Sequence, residues 1–160
     1  ILSYGWAVGL ALALLAGATH ARVVEEQIDV PVQVKNAWGK PVAHTIRVTV
    51  WSDDTNPRPA PIALINHGRA PDAQGRASLG RARYTDASRY LLRRGFVVAV
   101  PTRVGYGVSG GEDVEDTGAC NNRNYPPGFD AAAVQMLAAV VCCMALRVVP
   151  RSRVPVMRAA

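Results

Sequence analysis

The sequence predicts an α/β fold, a mixed and mostly parallel sheet with helices on its faces and an antiparallel hairpin at its N-terminal side. Three patterns carry that prediction. Two stretches alternate apolar and polar residues on either side of a short turn. Two later stretches are short continuous apolar runs, as expected of strands covered on both faces. Each of those runs precedes a segment with helical spacing, so the order is hairpin, then strand–helix–strand–helix.

The first alternating stretch is 23–35. Val24, Ile28, Val30, Val32 and Val34 share one parity. Glu25, Gln27, Asp29, Gln33 and Lys35 share the other, as in a half-buried strand. Asn36–Lys40 reads as a turn. Val42, Ile46, Val48 and Val50, opposed to Thr45, Arg47 and Thr49, make a second strand antiparallel to the first. His44 falls on the apolar parity and reads as a structural histidine. Asp53–Pro61 is a stiff polar loop. Ile62–Ile65 is the first continuous run and ends at Asn66-His67-Gly68-Arg69. A helix is expected over 84–94, from Tyr84, Ala87 and Leu91, with Gly95 at its stop. Phe96–Val100 is the second run, closed by Pro101. Residues 102–128, rich in Gly, Asp and Asn, read as a long loop. Asp130 is the expected cap of a helix over 131–145. Ala133, Met136, Leu137, Val140, Val141 and Met144 give it helical apolar spacing.

The chain has 160 residues, 49% hydrophobic and 19% charged, with a mean hydropathy of +0.07. That suits one globular domain and excludes wholesale disorder and a coiled coil. The net charge of +6 is uneven. Arg147, Arg151, Arg153 and Arg158 fall in an acid-free C-terminal stretch, and the other arginines are scattered. Aromatics are 6%, with no basic aromatic face or known reading motif, so nucleic acid is not an expected partner.

Gly5–Ala18 is apolar and uncharged. As a helix it would span about 21 Å, short of a ~30 Å bilayer core. With Ala18-Thr19-His20-Ala21 before Arg22, residues 1–21 read as a signal peptide cleaved on export. The expected location is periplasmic or secreted, with no stable membrane association after cleavage. A retained membrane anchor and a helix of the domain core are the competing expectations. Export permits disulfides, but Cys120, Cys142 and Cys143 are odd in number, and adjacent cysteines rarely pair. His20, His44 and His67 are the only histidines and no CxxC occurs, so neither a zinc site nor a cofactor is expected.

The chemistry lies at two strand ends. In His67-Gly68-Arg69, the glycine lets a backbone N–H face a site above the strand, where such groups stabilise a developing oxyanion. Arg103–Gly111, RVGYGVSGG, follows the next strand. PIALINHG, a helix, then GFVVAVPTRVGYGVSGG resembles the N-terminal half of an α/β-hydrolase, over residues 24–140. The closest resemblance is to bacterial dienelactone-hydrolase-like and peptidase-like esterases. It implies hydrolysis of a small-molecule carboxylic ester, lactone or peptide-like acyl bond by a Ser-His-Asp mechanism. It also implies an oxyanion N–H from Arg69, with His67 and Gly68 shaping the turn.

Gly107–Gly111 matches G-x-S-x-G as a string, which makes Ser109 a formal nucleophile candidate, with Asp113 and Asp116 as acids. A nucleophile elbow needs a strand ending at the first glycine and a helix starting past the serine. Here Pro101 intervenes, the following residues are loop-like, and no histidine lies beyond His67. The family's elbow is therefore expected after a strand near Val154–Met157, where Arg158-Ala159-Ala160 stands instead. These observations predict a truncated or frame-shifted hydrolase, inactive alone. Its domain would cover 22–146, with a divergent basic tail over 147–160. An incomplete sheet also predicts marginal stability and aggregation. The competing class is an exported, non-catalytic binding module that uses the 102–128 loop. Cys120 reads as a structural thiol, because no histidine is placed to activate it.

Overall fold

The structure, a computed structural model, describes residues 23–56 and 59–146. The expected signal peptide over 1–21, the strand near Val154–Met157 and the tail over 147–160 lie outside the described residues. Four strands form in chain order: β1 (Val23–Lys35), β2 (Pro41–Asp53), β3 (Ile62–Leu64) and β4 (Val97–Thr102). Helices α1 (Ala73–Ser78) and α2 (Thr85–Leu92) join β3 to β4. A 3-10 turn (Gly107–Ser109) and helix α3 (Pro126–Ala145) follow β4.

The hairpin forms as the parity predicts. Val23 lies opposite Asp53 and Lys35 opposite Pro41. Asn36 closes the turn, its side-chain oxygen accepting the N–H groups of Trp38 and Lys40 at 3.1 Å each. Gly39 supplies the positive φ of 76° that a side chain would resist. Val30, Val32 and Val34 are buried while Pro31, Gln33 and Lys35 face solvent.

The sheet is mixed, in the order β1-β2-β4-β3, with helices on both faces. The expectation of a mostly parallel sheet is corrected. The β1–β2 and β2–β4 ladders are antiparallel, and only β3–β4 is parallel. The reason is placement: β4 inserts between the hairpin and β3, so it meets β2 antiparallel on one side and β3 parallel on the other. The β3–helices–β4 crossover is the one parallel connection among the described residues.

Alternation within the buried strands divides two cores. Val97 and Ala99 join Ile46, Val48 and Val50 against Ala131, Ala139 and Cys143 of α3. Val98 and Val100 join Trp51 against Ala82 and Leu92 of the α2 side. β4 is thus buried on both faces along its whole length. Pro101 does not close it, contrary to expectation. The Ala99 carbonyl accepts the Ile65 N–H on the β3 side at 3.0 Å. Alternation puts the Pro101 nitrogen on that same side, past the end of β3, where no ladder donor is needed.

Two helices also differ from expectation. α1 was not foreseen; it is six residues with no buried position, started by Asp72, which accepts the Gly75 N–H at 2.7 Å. α3 begins at Pro126 rather than after Asp130, because consecutive prolines occupy its first turn, where no N–H is required. Asp130 lies inside the helix. Its buried stripe is Gly128, Ala131, Gln135, Ala139 and Cys143, not the larger apolar residues. Gly95, at φ 82°, ends the α2 region as anticipated.

Candidate functional site

In open α/β sheets, ligands bind beyond the carboxyl ends of parallel strands. Here those ends are Leu64 and Thr102, and the segments that follow them, 66–69 and 103–115, meet there. His67 is buried between them. Its Nε2 accepts the Arg103 N–H at 3.2 Å, so the ring proton is on Nδ1, which donates to the Gly68 carbonyl at 2.8 Å. The ring packs against Tyr106 at 4.4 Å between centroids. Burial, aided by the Arg103 charge, pushes the His67 pKa down, against the Gly68 hydrogen bond and the Glu115 charge. His67 is a neutral structural ring with both nitrogens occupied.

That arrangement fixes a backbone donor. A trans peptide sets its C=O and N–H antiparallel. With the Gly68 carbonyl held by His67, the Arg69 N–H points away from the ring. Among the described residues no acceptor takes that N–H. Gly68 and Arg69 are exposed, so the donor is open to a ligand.

Beneath the loop lies a buried ion pair. Arg103 is 2% exposed and Glu115 4%. The Arg103 Nε donates to one Glu115 oxygen, and Nη2 donates to the other at 2.9 Å. Nη1 reaches the Asn66 side-chain oxygen and the His67 carbonyl, the latter at 2.8 Å. The Tyr106 hydroxyl donates to Glu115 at 3.2 Å. Every charge-bearing atom therefore has a partner, which a buried pair requires. The network clamps the Asn66–Arg69 turn to the loop after β4. Neither Arg103 nor Glu115 was singled out from sequence as a pair. They stand twelve residues apart across a loop, with no periodicity to connect them.

Asp113 and Asp116, the formal triad acids, are placed elsewhere. Asp113 takes a two-pronged contact from the Arg69 guanidinium, at 2.8 Å per bond, and a third from Arg76 at 3.1 Å. Burial raises its pKa, but the Arg69 bonds and both arginine charges outweigh that and hold it below the ordinary carboxylate range. The same bonds raise Arg69. Asp116 accepts the Gly118 N–H at 3.0 Å. Among the described residues, neither carboxylate is hydrogen-bonded to a histidine.

Ser109 sits on the 3-10 turn, not on a strand-to-helix elbow. Its Oγ donates to the Thr102 carbonyl at 2.6 Å and accepts the Arg47 N–H at 2.9 Å. His44 Nε2 reaches the Ser109 backbone carbonyl at 2.7 Å, not the hydroxyl. The serine staples the glycine loop to β2 and β4. The glycines of that loop have a physical reason. At Gly107, φ 36°, an added Cβ would overlap the Gly80 carbonyl. At Gly105, φ 86°, it would meet the Glu112 carbonyl at 2.8 Å.

Gln135 completes the frame. Fully buried on α3, it accepts the Val104 N–H at 2.7 Å and donates to the Ala131 carbonyl at 3.0 Å. Sequence reading passed over it, since a lone polar residue in an apolar helix carries no pattern. The three cysteines are free. Cys120 is exposed and accepts from Arg123 at 3.1 Å. Burial pushes the Cys143 thiol up to about 11, with Cys142 adding to it. No group of three or more His, Cys, Asp or Glu among the described residues is arranged to hold a metal. No protein family model, curated protein or solved structure matches the chain.

Proposed function

We propose that this chain carries the oxyanion side of an α/β-hydrolase-type serine hydrolase, acting on a carboxylic ester, lactone or peptide-like acyl bond of a small molecule. One observation carries the reading. The His67-Gly68-Arg69 turn, in the loop between β3 and the first helix, presents at the carboxyl ends of two parallel strands an Arg69 N–H that no acceptor among the described residues takes. In α/β-hydrolases an N–H of that loop forms half of the oxyanion hole. A fixed N–H gains strength where charge develops on an acyl oxygen, because no reorganisation is needed at that moment. His67 and Arg103 supply the fixing. The nucleophile is assigned to no described residue: the Ser109 Oγ is held by Thr102 and Arg47, and neither His44 nor His67 hydrogen-bonds to it. Export to the periplasm or beyond belongs to the same proposal.

Translating the coding DNA downstream of codon 160 in all three frames tests the class. A G-x-S-x-G segment preceded by a strand pattern, then Asp, then His, is the expected result. Its absence from every frame would overturn the hydrolase reading and leave the exported binding module.

A further inference from the structure

α3 is two-faced in an unusual way. Its inner stripe, Ala131, Gln135, Ala139 and Cys143, is buried on the sheet. Its outer stripe runs at every fourth residue through Tyr125, Phe129, Ala133, Leu137 and Val141. Phe129 is 68% exposed, Leu137 63% and Val141 54%. Tyr125 and Phe129 already stack on each other at 5.9 Å. Asp130 is the only charged residue in the helix.

We propose that this outer face is the interface of a homodimer, occupied by α3 of a second copy lying antiparallel. Two arguments select that occupant. The first is self-complementarity. Large residues sit four and eight positions on either side of the small Ala133. A two-fold axis there sets Phe129 against Leu137 of the partner subunit and Tyr125 against Val141 of the partner subunit. Such mutual pairing is what an isologous interface demands. The same axis keeps the two Asp130 carboxylates apart and opposes the two helix dipoles.

The second argument is area. With Val134, 43% exposed, included, the face leaves about 500 Å² open per copy, so two copies cover about 1,000 Å², the threshold that a specific interface must reach. A membrane surface fits less well. Interfacial helices flank their apolar face with Lys or Arg, and α3 has neither. α3 also has the length and hydropathy of a membrane span. Its Gln135 hydrogen bonds and its packing on β1 and β4 mark it instead as a helix of the domain core.

Sedimentation velocity of the purified chain across the micromolar range tests the proposal. The expected species has twice the mass of the purified chain. The double variant Phe129→Glu/Leu137→Glu should raise the dissociation constant by more than about tenfold and leave the far-UV spectrum unchanged, since both positions are exposed. A second variant guards against misfolding. Ala133→Cys in a Cys120→Ser background should give a disulfide-linked dimer on mild oxidation. A wild-type monomer throughout the range would overturn the proposal. So would a dimer or aggregate indifferent to both glutamates, or the absence of the Ala133→Cys cross-link. Binding of a monomer to phosphatidylglycerol vesicles, lost in the double variant, would assign the face to a membrane instead.

Discussion

Replacing Glu115 by Gln removes the charge and keeps the shape, so it isolates the ion pair beneath the Asn66–Arg69 turn. Arg103 is 2% exposed and Glu115 4%, so water cannot take over either charge. Two guanidinium bonds and the Tyr106 hydroxyl converge on the carboxylate. Removing one member of such a pair typically costs about 3–5 kcal/mol, because the other charge is left buried. A charge pair at 4 Å in an effective dielectric near 20 is worth about 4 kcal/mol, which agrees. Urea unfolding at neutral pH, followed by the fluorescence of buried Trp51, measures the loss. Arg103→Met/Glu115→Leu should recover part of it, since no charge remains. Recovery should be incomplete, because Arg103 also holds Asn66 and the His67 carbonyl. A Glu115→Gln loss under about 1 kcal/mol would refute the reasoning, as a buried charge stripped of its counter-ion costs more than that.

Other outcomes follow from single contacts. Ser109→Ala should destabilise by about 1–3 kcal/mol in the same assay, by orphaning the Arg47 N–H and the Thr102 carbonyl. It should leave p-nitrophenyl ester hydrolysis at background, like the parent; saturable turnover abolished by the substitution would make Ser109 a nucleophile. His67 has a folded pKa below its ordinary 6.5, so the unfolded chain binds the proton first. Its contribution is whole above pH 6.5 and declines as the pH falls from there toward the folded value. His67→Asn should flatten that part of a melting-temperature profile; an unchanged slope counts against a buried neutral ring. Gly107→Ala should cost more than about 3 kcal/mol, against about 1 kcal/mol for Gly39→Ala, where only the positive φ opposes a Cβ. Native thiol titration at pH 8 should show Cys120 reacting fast and Cys143, raised to about 11, reacting only on unfolding.

Much of the fold was legible because period two is hard to mimic. The parity of Val30, Val32 and Val34 fixed the hairpin, and the apolar runs at 62–65 and 96–100 fixed the strands beside it. Strand order was not legible. Nothing local says that β4 enters between β2 and β3, and that insertion makes most of the ladders antiparallel. Which face of α3 turns inward was not legible for a related reason. Helical spacing shows that Ala133, Leu137 and Val141 align, but not which stripe meets the sheet. Close approach selected Ala131, Ala139 and Cys143, which are small. In the candidate site, the His67-Gly68-Arg69 turn was visible through its glycine at a strand end. The role of the His67 ring was not, because it depends on a hydrogen bond to its own neighbour and another from Arg103. Charged residues such as Glu115 look solvated in sequence, and only the fold buries them.

The central claim is that the Arg69 N–H is held open for an oxyanion. The direct measurement is a titration of the ¹⁵N-labelled chain with phenylphosphonate, whose anionic oxygens mimic a tetrahedral acyl intermediate. The Arg69 amide proton should move downfield and saturate, with smaller shifts confined to 66–70 and 103–106. An Arg69 amide that stays fixed while arginine side chains elsewhere respond would contradict it.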